Sequence, residues 1–146
     1  LIGRSLRGAV DLSDISGNSI YVDCDVINAD GGTRTASING GYLALALALK
    51  KRLPDLIINN KITPIAAISV GKVNGQIVDD LDYKMDSNAE VDLNLVMNSS
   101  YEIIEIQGTG EKGTFSTIEL NEMIDLGKKC IKKIFDEQEK IINNDD

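Results

Sequence analysis

The sequence predicts an α+β domain, and three observations carry that prediction. Apolar residues recur at helical spacing near the beginning, in the middle and at the end of the chain. Shorter stretches between them alternate apolar and polar residues, as half-buried strands do. Turn signals separate the stretches, so the elements run α-β-α-ββββ-α, an α+β or split α/β order. With 146 residues, 42% of them hydrophobic and 26% charged, the chain can bury the core of one domain.

Residues 1–12 read as helix, with apolar positions at Ile2, Leu6, Ala9 and Val10. No capping residue precedes them and the chain opens without methionine, which suggests a piece of a longer protein. Ser16-Gly17-Asn18 is a turn signal. From Ser19 to Ala29, Ile20, Val22, Cys24 and Val26 share one face, and Tyr21, Asp23 and Asp25 the other, which predicts a strand. A glycine-rich break, Asp30-Gly31-Gly32-Thr33-Arg34, leads into a helix from Thr35 to Leu53, ended by Pro54. That helix is apolar nearly all round, so several of its sides should be buried, and Gly40-Gly41 suggests close packing on another backbone.

A polar connector is expected over 55–63. Strands follow at Ile65–Val73 and Gln76–Tyr83, joined by the hairpin signal Asn74-Gly75. Two more are expected at Glu90–Met97 and Tyr101–Gln107. The capping-box residues Ser116-Thr117-Ile118-Glu119 then open a last helix, Thr117 to Ile142. Asn143 to Asp146 reads as a frayed tail.

Composition narrows the chemistry. The chain has no histidine, which removes Ser-His-Asp and Cys-His triads and most zinc sites. Any reaction must use carboxylates, Arg, Lys, hydroxyls or a hard metal ion. Cys24 and Cys130 form no CxxC-type pair and read as small buried residues of a reducing compartment. The net charge of −8 argues against a whole-surface nucleic-acid binder and leaves room for a local basic groove. No run reaches the length of roughly 18 apolar residues that a membrane helix needs, and the first residues lack a signal-peptide pattern.

Two segments hold candidate chemistry. In Asp30-Gly31-Gly32-Thr33-Arg34-Thr35-Ala36-Ser37 a glycine break meets a helix N-terminus, whose free N–H groups attract anions. Thr33, Thr35 and Ser37 add hydroxyls, and Arg34 adds a guanidinium fork that suits phosphate oxygens. A glycine turn with a threonine cap and a solvated arginine fits the same residues. The second segment, Asp79 to Asp92, gathers Asp79, Asp80, Asp82, Asp86, Glu90 and Asp92 against Lys84. Alternation places Glu90 and Asp92 on one side of a strand, with Asp86 just ahead. Converging carboxylates suit Mg²⁺ or Mn²⁺, and a solvated acidic edge strand suits them equally. Together, a phosphate cradle and a carboxylate metal site are equipment for phosphoryl transfer. Lys128, Lys129, Lys132 and Lys133 read as a solubilising helix face.

These residues also carry a resemblance. Leu1-Ile2-Gly3-Arg4-Ser5-Leu6-Arg7, Asp23-Cys24-Asp25-Val26, Ala29 to Ser37, Ser69-Val70-Gly71, Asp80-Leu81-Asp82-Tyr83, Asp86 to Asn94 and Glu105-Ile106-Gln107-Gly108-Thr109 resemble the ribonuclease PH family, in its order and at nearly its spacing. The likeness is closer to the bacterial tRNA-trimming type than to polynucleotide phosphorylase or exosome ring subunits. It implies phosphorolysis: inorganic phosphate attacks the 3′-terminal linkage of a tRNA precursor or other RNA 3′ end and releases a nucleoside diphosphate.

The resemblance implies that Thr33 and Arg34 bind phosphate. It implies that Asp86 and Asp92 hold Mg²⁺ or Mn²⁺ or assist proton transfer. Gly32, Thr35, Ser37, Glu90 and Asp80 are then supporting candidates. It further implies a fold of β-α-β units, a cytoplasmic homo-hexamer built as a trimer of dimers, and no membrane partner. In those terms, residues 1–63 are the second part of a first half-domain, 64–142 a C-terminal half-domain, and 143–146 a tail. The family also carries an N-terminal segment ahead of Leu1, with a second phosphate-binding arginine. An alternative is therefore a catalytically incomplete fragment, or a non-catalytic ring or scaffold subunit of an exosome-like RNA-binding assembly.

Overall fold

A computed structural model describes residues 1–144. Its elements are α1 (Ile2–Leu6), α2 (Thr33–Arg52), α3 (Pro54–Ile58), β1 (Ile65–Val73), β2 (Gln76–Asp79), α4 (Tyr83–Asn88), β3 (Val91–Asn98), β4 (Ile103–Gly110) and α5 (Thr117–Asn144). The strands form one sheet in the order β2-β1-β3-β4, with every neighbouring pair antiparallel. The α+β class read from the sequence is the observed one.

β1 explains the layering. Its residues Ile65 to Gly71 are all buried, a run that only a strand covered on both faces can place. On one face Ile65 and Ala67 meet Ile38, Tyr42 and Leu45 of α2, together with Val96 of β3. On the other, Ala66, Ile68 and Val70 meet Leu93 and Leu95 of β3 and Met123, Cys130 and Ile131 of α5.

β2 reaches only as far as Val70, so the β1 edge from Ile65 to Ser69 has no strand beside it. Three substitutes satisfy its backbone. Gln138 donates Nε2 to the Ile65 carbonyl at 3.1 Å. Asn39 donates Nδ2 to the Ala67 carbonyl at 2.9 Å and accepts the Ala67 N–H at 2.8 Å. The Asp80 N–H reaches the Ser69 carbonyl at 2.8 Å. Buried backbone groups need such partners, and here they come from both flanking helices and from the residue that follows β2.

Several expectations change. Residues 19–29 form no strand: no neighbouring strand among the described residues supplies hydrogen bonds, and Tyr21 and Ile27 stand 88% and 99% exposed. Cys24, on that segment, is exposed rather than buried, whereas Cys130 is buried. The first helix stops at Leu6, and Val10 instead bridges to Ile62. The expected connector over 55–63 is helical in its first part, because Pro54 takes a first-turn position and starts α3. The strand after the hairpin ends at Asp79 because Asp80 takes a left-handed φ of 49°. Asp82 then caps α4, accepting the Met85 N–H at 2.7 Å. Gly41 meets the Leu6 and Val22 side chains rather than a backbone, and Gly40 is open. α5 runs through Asn144, so the expected tail at 143–146 is helical in its first two residues, and 145–146 lie outside the described residues. The capping box is as expected: the Ser116 hydroxyl accepts the Glu119 N–H at 3.1 Å, and Glu119 accepts the Ser116 N–H at 2.7 Å.

Candidate active site

The face of the sheet that α2 covers turns from apolar to polar along its length. Past Ala67, the same face of β1 carries Ser69, in register with Asn94 of β3, which is in register with Gln107 of β4. One step further, Asp92 lies opposite Gly71 on one side and Thr109 on the other. α2 begins directly over this region, because a side chain at Gly32 would lie 3.8 Å from Ser69 Cβ. The result is a cavity of about 250 Å³ between the α2 N-terminus, the sheet and α4.

One wall is the start of α2. Gly32, at its N-cap, has φ 71° and ψ 20°, a left-handed conformation that glycine adopts without penalty. No side chain caps the helix and no acidic residue lies in its first turn. The Thr35 hydroxyl donates to the Gly32 carbonyl at 2.9 Å and the Ser37 hydroxyl to the Thr33 carbonyl at 2.8 Å, so both are turned back on the helix. First-turn N–H groups therefore stay available, with the helix dipole behind them. Thr33 and Arg34 line the cavity beside them.

The opposite wall is acidic. Asp86 reaches the cavity from α4, Asp92 from β3 and Glu111 from the loop after β4. Burial raises the Asp92 pKa above the ordinary carboxylate value, and the nearby charges of Asp86 and Glu111 push it the same way; Arg34 acts against them. A half-buried carboxylate among like charges calls for a counter-charge. Among the described residues no three acidic, cysteine or histidine groups are clustered tightly enough to hold an ion alone. Asp86 and Asp92 are the carboxylates from which a Mg²⁺ ion could be held, since that ion commonly takes one or two carboxylates and completes its shell with water and phosphate oxygens.

The two walls are tied together. Gly31 approaches Leu81 so closely that a Cβ there would lie 1.8 Å from the Leu81 carbonyl oxygen, so no other residue fits. Asp30 accepts the N–H groups of Gly31 and of Tyr83, the first residue of α4, and these two contacts hold its carboxyl below the usual carboxylate range. The chain leading into α2 is thus anchored to the helix that carries Asp86.

Of the residues singled out from the sequence, Gly32, Thr33, Arg34, Asp86 and Asp92 meet in this cavity. Glu90 does not line it: the residue precedes β3, accepts the Gly75 N–H at 2.8 Å and sits 3.5 Å from Lys72. Asp80 lies at the β1 edge, and Thr35 is buried inside the α2 turn. Ser37 borders a separate cleft beside Cys24. Ser69, Asn94, Gln107, Thr109 and Glu111 were not singled out for the site from the sequence, although strand alternation puts Asn94 on the same face as Asp92. For Asn94 that alternation was the available signal; the others are placed by strand register and by a loop, which no local pattern encodes.

Comparison with known proteins agrees with this architecture. Residues 1–51 match the first domain of the 3′ exoribonuclease family and residues 63–130 its second domain. Ribonuclease PH of Corynebacterium glutamicum (strain R) is 52% identical over 136 residues, covering 92% of this chain and 56% of that protein. Ribonuclease PH of Crocosphaera subtropica is 46% identical over 145 residues, 98% of this chain and 60% of that protein. The chain therefore spans between 56% and 60% of the length of these relatives. Among solved structures, the Archaeoglobus fulgidus exosome with RNA bound to the active site is similar in fold, with a TM-score of 0.66, 14% identity, and coverage of 93% of this chain and 58% of that one.

Proposed function

The chain belongs to the ribonuclease PH family of 3′ exoribonucleases, and on that premise we propose that it carries the phosphate-binding and acidic parts of a phosphorolytic active site that trims tRNA precursors and other RNA 3′ ends. The observation that carries this reading is the convergence of an uncapped helix N-terminus, Thr33 and Arg34 with Asp86 and Asp92 in one polar cavity.

In the proposed reaction an oxygen of inorganic phosphate bonds to the phosphorus of the last phosphodiester. The bond from that phosphorus to the 3′ oxygen of the preceding nucleotide breaks. That 3′ oxygen takes up a proton, and a nucleoside diphosphate leaves. Two phosphoryl groups must approach each other, so lowering their mutual repulsion dominates the barrier. Arg34 offers a bidentate fork to phosphate oxygens, and the first-turn N–H groups of α2 add donors without a mobile charge. Asp86 and Asp92 would hold Mg²⁺ or Mn²⁺, which supplies charge neutralisation at the phosphoryl oxygens when bound. The tie from Asp30 and Gly31 to α4 keeps the anion-binding wall and the acidic wall in fixed relation.

The experiment is a pair of variants. Arg34→Ala should raise the phosphate concentration needed for half-maximal rate at least tenfold, since a charge-assisted bidentate contact is lost. Asp92→Asn should instead lower turnover with the fold intact. An unchanged phosphate requirement in the first variant would remove Arg34 from the phosphate site.

A second reading has its own observation. Tyr21, Val26 and Ile27 stand exposed on a segment with alternating strand-like sequence. Such a surface suits coverage by another subunit, which fits a ring or scaffold subunit of an exosome-like assembly that does no chemistry of its own. Mass in solution, measured alongside activity, separates the two readings.

A further inference from the structure

The cavity floor holds two buried polar side chains that the chain itself leaves unpaired. Ser69 is 3% exposed and Asn94 is 8% exposed, and both line the cavity. Among the described residues neither the Ser69 hydroxyl nor the Asn94 amide makes a side-chain hydrogen bond, and at the β1 edge the Ser69 carbonyl accepts the Asp80 N–H. The hydroxyl of buried Thr35, close by on α2, does find a partner within the chain, the Gly32 carbonyl. Two polar groups without a protein partner, side by side on neighbouring strands and lining the cavity, are placed to hydrogen-bond a ligand held there.

The surroundings say which ligand. Ser69 lies beneath the Gly32–Thr33 turn, under the N–H groups that open α2. Both side chains can donate a hydrogen bond at any pH near neutrality, and neither carries a charge. Asn94 is two residues from Asp92 on the same strand face, where an acceptor or a second negative charge would repel an anion. We infer that Ser69 and Asn94 are further phosphate-binding residues, their hydroxyl and side-chain N–H donating to oxygens of the inorganic phosphate held by Thr33 and Arg34. The inference rests on the proposed phosphate site and extends it to the sheet.

The test is titration of the whole chain with inorganic phosphate, followed by amide chemical shifts and by calorimetry. Asn94→Ala removes one donor to an anion and should weaken binding roughly tenfold. Asn94→Asp keeps the shape but replaces the donor with a negative charge, and should reduce binding further, below detection. Ser69→Ala removes a single oxygen with almost no loss of packing, and should weaken binding between about threefold and tenfold. It serves as the second variant should an Asn94 variant fail to fold, and thermal unfolding without phosphate identifies such a failure. If wild-type protein binds phosphate, Arg34→Ala weakens it, and Asn94→Ala and Ser69→Ala both stay within twofold, the inference is overturned while the phosphate site stands. If wild-type protein binds no phosphate, the site itself is wrong.

Discussion

Asp30 accepts the backbone N–H of Tyr83 through Oδ1 at 2.5 Å, and this one contact joins the loop that opens α2 to the first residue of α4. The same oxygen accepts the Gly31 N–H at 2.9 Å. Arg34 and Asp86 sit on the two short stretches so joined. Asp30→Ala should therefore speed hydrogen exchange at the Tyr83 amide, while amides of β1 and β3 keep their protection. Asp30→Asn retains an acceptor oxygen and should keep much of that protection. Equal exchange in all three proteins would show that the tie does not hold α4.

Gly31 should tolerate no replacement. A Cβ would stand 1.8 Å from the Leu81 carbonyl oxygen, and that atom is backbone with no rotamer to give. Gly31→Ala is expected to cost about 3 kcal/mol in denaturant unfolding, the upper part of the usual range for overpacking. A loss under about 1 kcal/mol would mean that the loop moves aside freely.

Asn39 stands in for a missing strand. Its amide takes both backbone groups of Ala67, a residue with no exposure. Asn39→Ala leaves a buried N–H and a buried carbonyl without partners and should cost on the order of 2–4 kcal/mol. Thermal or urea unfolding measures it. Asn39→Asp keeps the acceptor and loses the donor, and should fall between wild type and Asn39→Ala.

The Lys72–Glu119 pair makes an acid limit to stability. Lys72 Nζ lies 2.6 Å from Glu119 Oε1, and Ser116 donates to the same carboxylate. These contacts hold the Glu119 pKa down at about 2, from an ordinary 4.5. The folded state thus binds the proton less readily than the unfolded one. Its stabilisation is complete above pH 4.5 and is lost as the pH falls toward 2. Stability measured across that window should fall more steeply for wild type than for Glu119→Gln. Parallel curves would remove Glu119 from the acid response.

The legible part of this molecule was local. Alternation over Glu90–Met97, the Asn74-Gly75 hairpin and the Ser116–Glu119 capping box each depend on residues a few positions apart; the turn and the cap formed as read, and the strand formed one residue later, over Val91–Asn98. Arg34 and Asp86 were legible as residue types next to a glycine break and an acidic run. The strand pattern at Ser19–Ala29 misled because alternation describes a surface that wants covering and does not supply a neighbouring strand: among the described residues Val22 packs on the core while Tyr21 and Ile27 stay exposed. α4 was missed because six residues give too short a period, and only the Asp82 cap marks it. Ser69 and Gln107 entered the site through register with Asn94, a relation between distant segments that no window of sequence contains.

The most direct test incubates the purified chain and Mg²⁺ with a 3′-labelled tRNA precursor, with and without inorganic phosphate, and identifies the released nucleotide. The proposed site predicts nucleoside diphosphate, formed only when phosphate is present and suppressed in Arg34→Ala. Nucleoside monophosphate released without phosphate, or no product under either condition, would contradict phosphorolysis by this chain.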